Sequence, residues 1–204
     1  MIDSNVDSGP NDQVQVYKRR WTILALFSIL EMSNALFWVT FAPISDIASN
    51  YFGGNYYGSI TSINMLANIF LILFGPGTVL ASMSMKKFKL KYTLIIASSL
   101  TLFGALLRYI AALCTDSLGN GNTYILMMIG QAFAAISQPM FLNLPPAIAS
   151  IWFPTKEREM ATTIGSMCSP IGNAVGQIIP VIFVSQTLNS KCVWLLYLLA
   201  LSSL

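Results

Sequence analysis

The chain has 204 residues, 55% hydrophobic and 9% charged, with a mean hydropathy of +0.65 and a formal net charge of +3. Soluble globular domains carry about 25% charged residues, so 11 Lys/Arg and 8 Asp/Glu spread over this length exclude a soluble surface. Histidine is absent, which removes His-based acid–base catalysis, His-liganded zinc and proximal-His haem ligation from the chemistry of this chain.

The charges are clumped. Residues 47–85, 117–155 and 160–190 contain none, and each block is long enough for a transmembrane helix of roughly 20 residues. In chain order, residues 1–17 are polar, carry Asp3, Asp7 and Asp12, and lack the apolar core of a signal peptide. They read as a disordered cytosolic tail. Residues 18–204 read as one all-α polytopic bundle of six membrane-spanning helices. The first span covers about 21–45, after Lys18-Arg19-Arg20. Asp46–Gly58, with Gly53-Gly54 and Tyr56-Tyr57, reads as a turn with interfacial aromatics. The second span, 59–85, contains Gly75-Pro76-Gly77, an expected kink or break. Lys86–Lys91 is an expected basic loop, and the third span covers 92–114. A turn over Asp116–Asn122 leads to the fourth span, 124–153, which Pro139, Pro145 and Pro146 should bend. A loop over Pro154–Glu159 precedes the fifth span, 160–185, and a sixth begins near Cys192.

Orientation follows from the loops. With the N-terminus inside, Lys18, Arg19, Arg20, Lys86, Lys87, Lys89, Lys91, Lys156 and Arg158 are cytoplasmic, and only Lys191 lies on the other side. Nine against one fits the positive-inside rule. Arg108, near the outer end of the third span, is expected to snorkel. Residues 192–204 make about 20 Å of helix, short of the roughly 30 Å hydrocarbon core. The sixth helix therefore reads as truncated, with a partner half missing. Cys114, Cys168 and Cys192 show no metal-ligand spacing and read as small apolar residues. No cofactor, metal or nucleic-acid partner is expected.

Lipid offers amide side chains no partner, so intramembrane amides face the bundle interior or a watery cavity. The first span aligns Glu31, Asn34 and Trp38; the second Thr61, Asn64 and Asn68; the fourth Gln131 and Gln138, with Asn143 further along. The fifth aligns Ser166, Ser169, Asn173, Gln177 and Pro180. The third and sixth spans carry no amide within their apolar run. Four helices thus turn polar faces inward, around a shared cavity. The ordinary alternative is that these amides glue helices together, at about 0.6–2 kcal/mol per contact. Gly172 and Gly176 read as a close-packing pair.

Several motifs carry a family likeness. Tyr17-Lys18-Arg19-Arg20-Trp21, Phe27-Ser28, Ser33-Asn34-Ala35-Leu36-Phe37-Trp38 and Phe41-Ala42-Pro43-Ile44 form one group. Gly130-Gln131, Ser137-Gln138, Pro145, Ile148–Pro154, Glu157-Arg158 and Ala161-Thr162 form another. Together, over about residues 17–184, they resemble the N-terminal half of a major facilitator superfamily transporter. Within it they resemble the feline leukaemia virus subgroup C receptor-related family, solute carrier family 49. One departure stands out: Ala81–Lys89 lacks the Asp and Gly of the superfamily's usual second-to-third helix loop.

The resemblance implies a substrate-contacting Trp at Trp38 and Gln at Gln138, and in choline-transporting relatives an aromatic cage around a quaternary ammonium. A cation over an indole gains about 0.5–2 kcal/mol. Trp38 lies about 25 Å along a helix from Trp21, so an interfacial-belt role competes with this one. Glu31 is the one carboxylate deep in a span, about 15 Å from its inner start. It is suited to counter a cationic substrate or carry a proton, or to sit neutral, hydrogen-bonded to Asn64 or Asn173.

The candidate substrate-binding set is therefore Glu31, Asn34, Trp38, Asn64, Gln138 and Asn173. The function implied is alternating-access transport of a small organic solute, choline-like, another organic cation or haem-type, with Gly75-Pro76-Gly77 as a flexible point. A non-transporting receptor, or a nonfunctional fragment, is the alternative. An enzyme is not expected: there is no Gly-x-Ser-x-Gly and no pair of deep acids. Residues 1–20 carry no Asp/Glu-x-x-x-Leu-Leu signal, which favours the plasma membrane over lysosomes.

Overall fold

A computed structural model describes residues 19–51 and 59–185 of the chain. The expected N-terminal tail, residues 52–58 of the expected Asp46–Gly58 turn, and the sixth span fall outside the described residues. Within them all regular structure is helical. Three helical stretches, Arg20–Ser49, Ile60–Leu113 and Gly119–Leu142, are long and apolar enough to cross a membrane.

Helix α1 runs Arg20–Val39, shorter than the expected first span. Pro43 is the cause: it fits the first turn of a helix but not its interior. The chain therefore breaks after Val39 into a 3-10 turn, Ala42–Ile44, and restarts as α2, Ser45–Tyr51. Asp46 in the first turn of α2 suits the positive end of that helix. The expected turn is thus helical as far as Tyr51. At the break, Thr40 Oγ1 donates back to the Leu36 carbonyl at 2.6 Å.

Helix α3, Ile60–Leu113, is capped by Ser59, whose Oγ accepts from the Ser62 N–H at 3.2 Å. It combines the second and third expected spans, divided at Lys89, where φ is 62° and ψ is 174°. The basic loop is therefore a one-residue elbow, and Lys86, Lys87, Lys89 and Lys91 are all exposed around it. Gly75-Pro76-Gly77 does not break the helix, since Lys89 is the single non-helical residue inside α3. Gly77 serves packing instead: a Cβ there would lie 3.0 Å from Pro139 Cγ.

Helix α4 is Thr115–Leu142, with one non-helical residue at Gly119, where φ is 73°. The expected turn shrinks to that glycine, for which positive φ costs little. Asn143 and Leu144 separate α4 from α5, Pro145–Trp152, so the fourth span bends where its prolines cluster. Helix α6 runs Thr155–Ser185 and begins inside the expected loop. Glu157 in its first turn favours that early start.

Packing pairs α3 with α4 and α1 with α6, while α5 and α4 close against α6 and α1. Glycines let the backbones approach. A Cβ on Gly104 would come within 2.5 Å of the Gly130 carbonyl, and one on Gly172 within 2.6 Å of the Met32 carbonyl. Phe27, Met140, Phe141, Leu144 and Ile148 fill one core, joined by Met85, Leu90 and Trp152. Phe37, Phe70, Ala105, Ala134 and Ala135 fill another. The outer surface carries Leu71, Ile72, Val79, Leu102 and Ile151, a surface suited to lipid. Arg20 meets Glu157 at 3.0 Å and Trp21 packs edge-on to Phe153 at 5.1 Å. With Met85 and Leu90 sharing a core with Trp152, the basic segments gather at one end of the bundle.

Candidate functional site

Contacts between helices fix the register of α1 against its neighbours. Against α4 it runs antiparallel. The Gln131 amide donates to the Phe37 carbonyl at 2.9 Å, the Asn34 amide to Ser137 Oγ at 2.8 Å, and Phe27 packs on Phe141 at 6.4 Å. Against α6 it runs parallel: Gly165 faces Phe27, Gly172 faces Met32 and Ala35, and Gly176 faces Leu36 and Val39.

Between these rungs three polar residues fall at one depth. Glu31 lies between Phe27 and Asn34, Gln138 beside Ser137, and Ser169 between Gly165 and Gly172. Their exposures are 2%, 5% and 6%. Neither carboxylate oxygen of Glu31 has a hydrogen-bond partner among the described residues. Asn173 follows one turn beyond Ser169, half-buried, with its Oδ1 buried and unpartnered. Trp38, two turns beyond Glu31, is half-buried and stacked on Phe70 of α3, with centroids 6.3 Å apart and planes 21° apart.

The other two expected site residues lie elsewhere. Asn34 is spent between helices: its amide nitrogen also reaches Thr101 Oγ1 at 3.1 Å and the Ala134 carbonyl at 3.2 Å. Thr101 and Ser137 are themselves 2.8 Å apart. Asn34 therefore holds α1 to α3 and α4, the glue role, as Gln131 does through the Phe37 carbonyl. Asn64 is exposed on α3, as are Thr61 and Asn68. Of the expected set, Glu31, Trp38 and Gln138 lie on α1 and α4, and Asn173 on α6, which packs along α1.

Arg108 does not snorkel. It is fully buried, with its guanidinium 4.6 Å from the Phe37 ring centroid and 5.0 Å from that of Phe41. Gly130 leaves the room, since a Cβ there would meet Arg108 Cγ at 2.9 Å. Two ring faces favour the bundle interior over the headgroups. Phe37 and Phe41, four residues apart, were the signal for this arrangement in the sequence. Ser169, in the polar stripe expected on the fifth span, and Phe70 stand outside the expected binding set. The seven-residue spacing of Gly165 and Gly172, with Ser169 between, marks the face of α6 that carries the first. At the charged end a cavity of about 610 Å³ opens, lined by Arg19, Thr22, Ile23 and Trp152.

A family profile for the Major Facilitator Superfamily matches residues 22–204. Solute carrier family 49 member A3 of Xenopus tropicalis is 32% identical over 173 residues, 84% of this chain and 35% of that protein. The choline/ethanolamine transporter FLVCR1 of Felis catus is 27% identical over 184 residues, 90% of this chain and 31% of that protein. The choline/ethanolamine transporter FLVCR2 of Rattus norvegicus is 26% identical over 173 residues, 84% of this chain and 29% of that protein. The chain spans about a third of the length of the curated relatives it matches.

Proposed function

The chain belongs to the Major Facilitator Superfamily, and from that membership we propose that it forms the N-terminal, substrate-contacting part of a transporter for a small organic cation. A second half is needed to close the pathway for alternating access, and the plasma membrane is its proposed location. One observation carries the choice of charge: Glu31 is buried, has no hydrogen-bond partner among the described residues, and shares a face of α1 with Trp38. An unpaired carboxylate inside the membrane marks a functional site by default, and a cation is the ligand that compensates it. The indole of Trp38 adds the π-face that a quaternary or primary ammonium prefers. Gln138, Ser169 and Asn173 supply neutral hydrogen-bonding groups around the ligand.

The choline and ethanolamine named for two relatives are cations of this kind and are the first substrates to test; a haem-type solute is the less favoured class. Uptake of labelled choline by proteoliposomes containing the full-length protein is the direct experiment. Saturable uptake whose KM rises about tenfold in Trp38→Ala supports the reading, that loss matching about 1.4 kcal/mol of cation–π binding. No uptake of choline or ethanolamine by a folded parent protein refutes it.

A further inference from the structure

We propose that the cavity at the charged end of the bundle holds an anionic glycerophospholipid of the cytoplasmic leaflet, its headgroup held by Arg19 and the lysines of the α3 elbow. The inference uses none of the residues assigned to the organic cation and stands independently of that reading.

The cavity, about 610 Å³, lies between the start of α1, which gives Arg19, Thr22 and Ile23, and the last residue of α5, Trp152. That volume is in the range of small-ligand sites, and its walls have two characters. Ile23 and Trp152 are half-buried and offer apolar surface. Arg19 is exposed and offers a guanidinium whose planar donors pair with phosphate oxygens. A ligand that satisfies both walls is apolar at one end and anionic at the other. A free phosphate meets only the guanidinium, whereas the glycerol and chain of a phospholipid also cover the indole and the isoleucine.

The charge of this end favours the same occupant. Among the described residues it carries eight basic side chains and two acidic ones. Glu157, one of the acids, is paired with Arg20 at 3.0 Å, and Arg158 Nε donates to the Phe153 carbonyl at 3.1 Å. Arg19 and the elbow lysines Lys86, Lys87, Lys89 and Lys91 remain exposed. Met85 and Leu90, neighbours of those lysines, pack against the same core as Trp152, which brings the elbow to the end where the cavity opens. Phe88 and Tyr92 are exposed on the elbow, aromatics of the kind that sit at headgroup level. A cluster of four or more Lys/Arg directly beside a membrane-spanning helix is suited to anionic lipid.

The backbone of the elbow shows that a charge is retained there at a conformational cost. Lys89 has φ 62° and ψ 174°, a region essentially confined to glycine. Gly119 makes the other elbow with nearly the same angles, φ 73° and ψ 158°. Where geometry alone is required the chain has glycine; at the basic end it has lysine instead. Headgroup binding supplies a reason for that lysine.

The test places the full-length protein in phosphatidylcholine vesicles and titrates in brominated phosphatidylserine or brominated phosphatidylcholine, reading tryptophan quenching. Each lysine near an anionic surface contributes about fivefold in binding, so a preference for phosphatidylserine of about tenfold or more is expected. It should shrink between about 0.1 M and 1 M salt, where the screening length falls from about 10 Å to 3 Å. Trp152→Phe, which keeps an apolar ring in the cavity, should lose the serine-specific part of the quenching. The quadruple variant Lys86→Gln, Lys87→Gln, Lys89→Gln, Lys91→Gln should lose the preference, and the matching Lys→Arg variant should keep it. Lys89→Gly is expected to melt at a higher temperature yet bind phosphatidylserine about fivefold more weakly, and it decides the matter should the quadruple variant fail to fold. Equal quenching of the parent by the two lipids overturns the proposal, as it would if another part of the protein filled the cavity. So does a preference unmoved by the glutamine variant or by Trp152→Phe. Displacement by glycerophosphoserine, the headgroup without chains, also overturns it, in favour of a soluble anion.

Discussion

Substituting Asn34→Ala separates glue from cavity more sharply than any other change in the molecule. The Asn34 amide has two N–H groups shared among Ser137 Oγ at 2.8 Å, Thr101 Oγ1 at 3.1 Å and the Ala134 carbonyl at 3.2 Å. Intramembrane hydrogen bonds average about 0.6 kcal/mol, with a ceiling near 1.7, so two of them set a loss of about 1.2 kcal/mol. Deletion leaves the Thr101–Ser137 contact at 2.8 Å and the bond from Thr101 to the Ala97 carbonyl in place. Both hydroxyls therefore keep partners, and the penalty for orphaned groups stays small. The expected outcome is a fall in unfolding free energy of about 1–2 kcal/mol, read by reversible SDS denaturation in mixed micelles, with the choline KM within about twofold of the parent. A KM raised tenfold with unchanged unfolding would refute the placement of Asn34 between helices and return it to the binding site.

Gly172→Ala places a methyl 2.6 Å from the Met32 carbonyl and 2.9 Å from Ala35 Cβ, and overpacking of this kind costs about 1–3 kcal/mol. Gly75→Ala meets nothing within 4 Å, so it should gain up to about 1 kcal/mol of helix propensity; the same denaturation series checks both. Transport by Gly75→Ala at the parental rate is also expected, because α3 passes through Gly75 without a break. Arg108→Lys keeps the charge but loses the planar face that stacks between two rings. It should retain part of a cation–π contribution of about 1–2 kcal/mol, which Arg108→Ala loses together with its packing, giving the stability order Arg, Lys, Ala in thermal melts.

Composition and charge spacing were enough to read a helical membrane bundle, because hydrocarbon leaves few ways to satisfy a backbone and charges must collect at the ends. Loops were harder. The turns expected at Lys86–Lys91 and Asp116–Asn122 each contract to one residue of positive φ, Lys89 and Gly119, because a tightly packed pair of helices needs little more chain to reverse. Gly75-Pro76-Gly77 has the composition of a break, yet Gly77 is smooth so that Pro139 can approach, a demand set by another helix. Arg108 is buried for the same kind of reason. Its position near a helix end pointed to the headgroups, and only the fold brings Phe37, Phe41 and Gly130 around it.

Helical geometry explains why the first span could not be resolved into its roles. At about 100° per residue, Trp38 returns to within about 20° of Glu31, whereas Asn34 stands about 60° away. Sequence spacing groups all three on one broad face, as the i, i+3, i+7 rule allows. In the bundle Asn34 reaches hydroxyls and a carbonyl of α3 and α4, whereas Glu31 finds no hydrogen-bond partner among the described residues. The residue turned toward α3 and α4 finds acceptors and becomes structural. On α6, Gly165 and Gly172 bring backbone close to Phe27, Met32 and Ala35 of α1. On the reading proposed above, Glu31, buried and without a hydrogen-bond partner among the described residues, is the carboxylate that a cation compensates.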